Sequence, residues 1–562
     1  MKTLKLAFII ALCGIIICSC SKKSDTPAHL VAIPKNASFV LAFNAKQIVE
    51  KAGLNKPEQY KFYSAIQEEL NRMPAEQSKA VKDFIKNTRN SGLNLDNVFL
   101  YLVMNDNVLE DETYPVYPLS VGITFLIDDL KTFEKSIKDN DVATWDGDEK
   151  VISLGYYVSL QWNDKIAVIT FNADENINLF NTDEANSILA NELFKADYSD
   201  KNDAYLFAEM NTIINLAEDF SNDYYSANQL INNLEQYKDM AMSLTFNDEK
   251  GSYVAAAKLL PEEKANELYG KYYKTDFDNN LYKYFPDNSL LAMKFSIKPL
   301  VYYNEYKKAI GIGQAEEPTE STTEQVEIID EKGNVVETED VVIDKYNGYA
   351  QNYNYEIKML IEQYDEKVTS VLSCFTGDFL GSISGLTNML QPDFAVAAGI
   401  AEGKESDVTA LMKEVGFTEN ADGYYTLSIG YVNFYFAVKE NIAYVTMSTN
   451  AVAKFLDKGY SPDITSAKSF GKEMKDAFYY VYLNININDY PALLKTYLNM
   501  SLGTEQAKVI MPFLEKLQSI NAKSVNKNGG EFRIKFNEKE YASKIILKAI
   551  DAIAASYLDF EY

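Results

Sequence analysis

The stretch Ile33-Pro34-Lys35-Asn36-Ala37-Ser38-Phe39-Val40-Leu41-Ala42-Phe43-Asn44 returns as Phe285-Pro286-Asp287-Asn288-Ser289-Leu290-Leu291-Ala292-Met293-Lys294-Phe295-Ser296, at an offset of 252 residues. The two align without a gap and run on to Val49 and Val301. Self-similarity at such spacing outranks local patterning, because a missed repeat misassigns the whole fold. In the first copy a strand over 38–44 leads into a helix beginning near Ala45.

Further matches keep the same order. Asp129-Leu130 with Phe133, Lys135 and Ile137 answers Asp407-Val408 with Leu411, Lys413 and Val415. Ile166-Ala167-Val168-Ile169-Thr170 answers Ile442-Ala443-Tyr444-Val445-Thr446 at an offset of 276. Asp203-Ala204-Tyr205 answers Asp476-Ala477-Phe478 at 273, and Gly251-Ser252-Tyr253-Val254 answers Gly530-Glu531-Phe532-Arg533 at 279. A nearly steady offset in one order predicts an internal duplication. Its one jump falls early in the second copy, where residues 316–340 are dominated by Glu, Asp, Thr and Val with Lys332 as the only base. There Val326-Glu327-Ile328 and Val335-Val336-Glu337 flank Glu331-Lys332-Gly333-Asn334, the pattern of a hairpin around a glycine turn. The acidic run before it, with Pro318, reads as loop. This insertion, 314–345, is either a solvated excursion or a docking element.

Within the first copy, Tyr60, Phe62, Tyr63, Ile66 and Leu70 recur at helical spacing and predict a helix over 58–70. Strands are expected over 98–103 and 120–126, then a helix over 128–137 with Asp128 as its N-cap. A meander over 151–154, 156–162 and 166–171 follows, with polar turns such as Asn163-Asp164-Lys165. A strand over 204–210, helices to about Tyr237, a hairpin turning at Asp248-Glu249-Lys250-Gly251 and a helix from Pro261 close the copy. Consecutive hairpins imply antiparallel pairing, since parallel strands need a crossover each time. The expected fold class is α+β: two tandem copies of an antiparallel-sheet-plus-helices domain, repeat one over 33–280 and repeat two over 281–562, with helices covering one face of each sheet.

Upstream, Lys2 and Lys5 precede an apolar run over 6–17 that is too short to span a bilayer. Ile17-Cys18-Ser19-Cys20 then resembles a lipobox with Cys20 as the lipidated residue; Cys18 fits worse, because Ile17 would be its small −1 residue. Residues 1–19 are accordingly expected to be a signal peptide and 20–32 a lipidated tether, held stably because more than one acyl chain is attached. The absence of Asp directly after Cys20 favours the outer membrane, by resemblance to lipoprotein sorting rules. No acidic export tract follows in Ser21-Lys22-Lys23-Ser24-Asp25, which favours the periplasmic face. The mature chain would keep Cys20 and Cys374, so no internal disulfide can form. Cys374, in Val371-Leu372-Ser373-Cys374-Phe375, reads as a buried structural thiol. The net charge of −27 repels nucleic acid and anionic headgroups, so neither is an expected partner.

Most site chemistries fail on residue types. His29 is the only histidine and lies in the expected tether, so neither a Ser-His-Asp nor a Cys-His site can be assembled in either copy. Imidazole or thiolate zinc sets fail for the same reason. Gly311-Ile312-Gly313-Gln314 lacks a third glycine and runs into Glu316-Glu317, the wrong charge for phosphate. Gly381-Ser382-Ile383-Ser384-Gly385 has Ile383 where a nucleophile elbow needs serine, and a tight turn or close packing explains its small residues. Paired carboxylates need no histidine. Asp128-Asp129, Glu110-Asp111-Glu112 and Asp146-Gly147-Asp148 qualify, and equally resemble a cap, a loop and a turn. No Asp-x-Asp-x-Asp-Gly calcium loop occurs, and no cofactor is implied.

Tyrosine is abundant, 40 residues against only Trp145 and Trp162, and the scarcity of Trp weakens a glycan-platform reading. Tyr density peaks at Tyr272, Tyr273, Tyr282, Tyr284, Tyr302, Tyr303 and Tyr306. These rings serve either as a partner surface or as packing between the copies.

The lipobox, the Ile-Pro-x-Asn-Ala opener over 33–37 and its echo over 285–289 together resemble the Bacteroidetes lipoprotein family known as domain of unknown function 4836. The resemblance implies location and architecture over the mature chain and carries no catalytic residues. The expected function is a non-enzymatic binding or scaffold module in the envelope, attached to the membrane through Cys20, with an envelope protein or glycan as partner. The alternatives are a carboxylate-dependent hydrolase acting on envelope glycans and a purely structural spacer.

Overall fold

A computed structural model describes residues 28–61, 63–64, 68, 91–104, 119–139, 150–155, 158–171, 183–214, 235–309, 312, 322–329, 335–343, 350–386 and 392–558. The expected signal peptide, Cys20, most of the 58–70 helix, Glu110-Asp111-Glu112, Trp145 and Asp146-Gly147-Asp148 lie outside the described residues. The first half supplies β1 (Ala37–Phe43), β2 (Leu93–Met104), β3 (Leu119–Ile127), β4 (Val151–Gly155), β5 (Val158–Trp162), β6 (Ile166–Phe171), β7 (Ala204–Glu209), β8 (Ala241–Glu249) and β9 (Ser252–Leu260). The second supplies β10 (Leu291–Ser296), a separate hairpin of β11 (Thr322–Ile329) and β12 (Val335–Ile343), β13 (Phe375–Leu386), β14 (Pro392–Ile400), β15 (Thr418–Glu419), β16 (Tyr425–Ile429), β17 (Val432–Lys439), β18 (Ile442–Thr446), β19 (Tyr480–Asn484), β20 (Leu517–Val525) and β21 (Gly529–Phe536).

All strands but β11 and β12 join in one open antiparallel sheet of 19 strands. Across it the order is β4-β5-β6-β3-β2-β1-β7-β8-β9 and then β21-β20-β19-β10-β13-β14-β18-β17-β16-β15. The class is α+β, as expected, but the two expected sheets are one. Read inward from either end, the halves give the same succession of strands, with β15 as an extra edge strand on the second.

Register carried strand to strand from the aligned openers refines the sequence matches. Ala42 pairs Tyr205 and Lys294 pairs Tyr480, so Tyr205 answers Tyr480 at 275, two residues on from the Phe478 that sequence similarity selects. Continuing outward, Ala256 answers Glu531, again at 275, and these two residues stand directly opposite each other where β9 meets β21. The seam is therefore isologous, as between subunits of a twofold dimer. The sequence match at 279 misleads because its glycines differ in role. Gly251 (φ 79) sits in the two-residue turn between β8 and β9. Gly530 sits inside β21 against the Tyr479 hydroxyl, after a three-residue turn.

Helices cross this seam in both directions. Asn44 caps the Ala45–Ala52 helix by accepting from Gln47 N at 3.1 Å, and left-handed Gly53 ends it. Its core-facing Val49 and Ala52 form a cluster with Leu54 and Tyr60, which Leu547 of the C-terminal Ala542–Leu558 helix covers. Reciprocally, the Glu262–Tyr272 helix that ends the first half meets the Pro299–Ala309 helix of the second. Lys271 and Glu305 pair there at 2.9 Å, and Tyr272 meets Tyr302 edge-on at 5.7 Å.

Each half has its own apolar core on the sheet. One gathers Val40, Phe99, Tyr101, Phe194, Tyr205 and Phe207; the other gathers Leu380, Tyr444, Phe455, Phe470, Tyr480 and Tyr482. Each aromatic buried there contributes about 2–3 kcal/mol of transfer free energy. The first core also takes in Leu30 and Ala32, and His29 is fully buried, edge-on to Phe99 at 4.8 Å. Residues 28–32 are thus a packed turn rather than tether, because their apolar side chains complete that core.

Local expectations are otherwise close. Strands 3, 6 and 7 fall within a residue of their expected limits, and β2 runs longer. The helix expected from Asp128 spans Leu130–Asp139 and is capped by Asp129, whose Oδ1 accepts from Thr132 N at 3.2 Å; Asp128 is held instead by Asn94. Cys374 is buried, its thiol donating to the Ser370 carbonyl. The Gly381-to-Gly385 run lies inside β13 and so is not a turn, and close packing does not explain it either: a Cβ on Gly385 would meet open space and one on Gly381 only ordinary contact with Phe379 at 3.4 Å.

Candidate functional site

The recurring Pro-x-Asn openers each place a pocket. Ahead of β1, Ile33 and Lys35 are strapped to the segment before the Glu192–Asp197 helix: Lys35 N donates to Asn186 O at 2.9 Å and Ile188 N to Ile33 O at 2.8 Å. An open pocket of about 630 Å³ lies there, lined by Lys35, Asn36, Asn186, Asn191, Glu192 and Glu209. Ahead of β10, Pro286 bridges to Asp463 as Pro34 bridges to Ser187. A second pocket of about 620 Å³ lies there, lined by Asp287, Asn288, Ser384, Asn484, Asp489 and Tyr490 among others. The positions correspond: Lys35 answers Asp287 at 252, and Glu209 at the end of β7 answers Asn484 at the end of β19 at 275. Both volumes fall in the range that holds small ligands.

The linings differ in charge. In the first, burial raises the Glu209 carboxyl above its ordinary range, opposed by Asn191 Nδ2, which donates to Oε1 at 2.9 Å. Asn191 Oδ1 in turn accepts from Leu193 N and Phe194 N at 3.1 Å, capping the helix that carries Glu192. Lys35 adds a cation. Among the described residues, the second lining has carboxylates and no basic side chain. There Asn484 Nδ2 donates to Asp489 Oδ2 at 2.8 Å, Asn486 N donates to Asn484 Oδ1 at 2.9 Å, and the Tyr490 hydroxyl donates to the Asn484 carbonyl. Tyr482 also lines it, its ring stacked on Phe470 at 4.2 Å and its hydroxyl bonded to Ser469.

The seven tyrosines singled out in the sequence separate. Tyr282 and Tyr284 are 3% and 1% exposed, inside the core of the second half, because the turn Asn279–Tyr284 folds them under the sheet; neither can form a surface. Tyr273 stacks on Tyr269 at 4.7 Å, and Tyr269 meets Phe478 of the second half at 5.2 Å, so these rings pack the halves together. Tyr272 donates to Gln236 at 3.0 Å, and Tyr303 lies under Lys307. Only Tyr302 and Tyr306 present about half their area to solvent.

A third polar group is buried and adjoins neither pocket. Lys274 pairs with Asp378 at 2.6 Å, Ser296 Oγ donates to the other Asp378 oxygen, and Lys294 donates to the Met474 and Lys475 carbonyls. No set of three metal-ligating side chains occurs among the described residues, and no helix there is long and apolar enough to cross a membrane. Sequence reasoning missed Asn191, Glu209, Asn484 and Asp489. The one signal that bore on them was the opener itself, which strand-end pockets adjoin in both halves.

A family model described as a domain of unknown function (DUF4836) matches residues 31–333 and 346–543, most of the chain. No curated protein and no solved structure matches it.

Proposed function

We propose a function from one premise: this chain belongs to the DUF4836 family, which is defined without a known activity. It is a lipoprotein of a Bacteroidetes-type envelope, anchored through Cys20 to the outer membrane and facing the periplasm, and it acts as a non-enzymatic binding module. Its two halves, 33–280 and 281–562, arose by internal duplication. The shared strand succession and the isologous seam at Ala256 and Glu531 support that origin. The observation that carries the binding role is the pair of ligand-sized pockets in corresponding places, formed at the strand ends beside each opener. A spacer would have no use for two such recesses.

The test is photo-crosslinking in intact cells from probes at Asn36, Asn288, Tyr302 and Tyr306. One dominant crosslinked envelope component is expected from a pocket probe. Clean lanes from all four positions in anchored protein would remove the binding reading.

A second reading, hydrolysis of envelope glycans, has one observation in its favour. Glu209 has the raised carboxyl pKa that suits a general acid, and Glu192 lines the same pocket. Glu209→Gln would then abolish glycan cleavage while leaving the melting temperature intact; absence of any cleavage by the parent protein ends this reading.

A further inference from the structure

The second pocket differs from the first in a way that names a ligand class. We propose that it binds a neutral polyhydroxylated ligand, a short stretch of uncharged glycan. This deepens the binding role proposed above and rests on it.

Three observations converge. Among the described residues the lining offers Asp287 and Asp489 and no basic side chain, in a chain of net charge −27, so an anionic ligand meets repulsion there. Its remaining polar groups are amides and hydroxyls, Asn484 and Ser384 among them, which exchange hydrogen bonds with sugar hydroxyls in either direction. Those groups are also set in place beforehand. Asn484 is held at both ends of its amide, by Asp489 at 2.8 Å and by Asn486 N at 2.9 Å, and Tyr490 is fixed by its hydroxyl to the Asn484 carbonyl. A fixed acceptor loses little entropy on binding, and a carboxylate accepting from a hydroxyl forms the stronger, charge-assisted bond. Tyr490 supplies an aromatic body beside these groups, so the scarcity of Trp does not remove an apolar contact for a sugar face.

The first pocket is the internal control. Glu209 stands where the second has Asn484, and Lys35 stands where it has Asp287. With a cation and a desolvated carboxyl in place of an amide and a carboxylate, it offers a different pattern of donors and acceptors.

The experiment uses the full chain in detergent micelles and saturation-transfer NMR. The probes are short neutral oligomers of glucose, mannose and N-acetylglucosamine, with spermidine and inorganic phosphate as cationic and anionic comparators. Binding of at least one neutral oligomer and none of phosphate is expected. Asp489→Ala and Asp287→Ala should each weaken it by about tenfold, the loss of one charge-assisted hydrogen bond, while Glu414→Ala, in an exposed ion pair with Lys367 that lines neither pocket, leaves it unchanged. Both substituted positions reach solvent, and a melting curve verifies that each variant is folded. Tighter binding of spermidine than of any sugar overturns the class, and sugar binding that survives both Asp variants overturns the site. No sugar binding alongside a crosslinked envelope protein overturns this proposal alone; no sugar binding and no crosslink overturn the binding role as well.

Discussion

Tyr101 on β2 stands directly opposite Gly122 on β3, and its ring occupies the space a side chain there would fill: a Cβ on Gly122 would lie 2.1 Å from the ring. At the corresponding place in the second half, Ser382 faces Ala395. A large residue over glycine and two small residues are alternative solutions for one cross-strand site. We expect Gly122→Ala to destabilise the protein by about 1–3 kcal/mol through overpacking, and Tyr101→Ser to cost about 3–5 kcal/mol through the cavity it leaves. Together they should cost clearly less than their sum, because each relieves the other. Urea unfolding of the three variants measures the coupling; strictly additive costs would show that ring and glycine do not share the site.

Lys294 tests the energetics of the second core. It is 3% exposed, lies over the Phe277 ring at 4.6 Å, and donates to two backbone carbonyls at 3.1 and 3.4 Å. Burial lowers its ammonium pKa from 10.5 to about 8, against the opposing pull of Asp378 and Asp476. The native state therefore holds this proton less tightly than the unfolded chain. Its contribution is fully favourable only above 10.5 and is lost as pH falls through about 8. The parent should gain stability between pH 8 and 9.5, and Lys294→Met should lack that gain while being at least as stable as the parent at pH 7. Parallel pH profiles of the urea midpoint for parent and variant would contradict this account.

How much of this was legible follows from how far apart the determinants lie. The meander of β4, β5 and β6 was readable because each strand pairs with its sequence neighbour and the turn signals are local. The common strand succession of the two halves was readable from the openers, whose side chains answer one another at a fixed offset. The single sheet was not, since nothing local in Ser252–Leu260 marks its free edge as the partner of a strand nearly three hundred residues later. Likewise Tyr282 and Tyr284 look like their exposed counterparts Tyr302 and Tyr306; the turn over 279–284 that buries the first pair is a tertiary outcome. Glu209 and Asn484 became visible as counterparts only once hydrogen-bond register replaced residue similarity.

The shared seam makes the halves interdependent. Residues 28–280 alone would expose β9 along its seven-pair junction with β21 and would lack the Ala542–Leu558 helix that covers Val49, Ala52 and Tyr60. An unpaired edge of that length is an aggregation template. We expect this fragment to aggregate or to melt well below the full chain. Co-expression with residues 281–558 should restore a soluble complex with the parent's circular dichroism. A fragment that is monomeric and as stable as the parent would show that the seam is dispensable.

Asp248 provides the sharpest single-residue test of that interdependence, since it reaches from the end of β8 to the start of the C-terminal helix. Its carboxylate accepts from Ser543 N at 3.2 Å and from the Ser543 hydroxyl, serving as the helix cap from another part of the chain. Burial raises its pKa from 3.8, reinforced by Asp203 nearby and opposed by the Ser543 bonds. Asp248→Ala removes the cap and should cost about 1–2 kcal/mol, whereas Asp248→Asn keeps an acceptor and sheds a desolvated charge, so its cost at neutral pH should be smaller. Because the native carboxyl holds its proton more tightly than the unfolded one, its contribution is complete below 3.8 and is lost as pH rises through the raised native value. Relative to Asp248→Asn, the parent should therefore gain stability as pH falls through the carboxylate range. Denaturant midpoints of the two proteins across that range decide the matter, and a parent that loses ground on acidification would mean the carboxylate is held by its partners rather than penalised by burial.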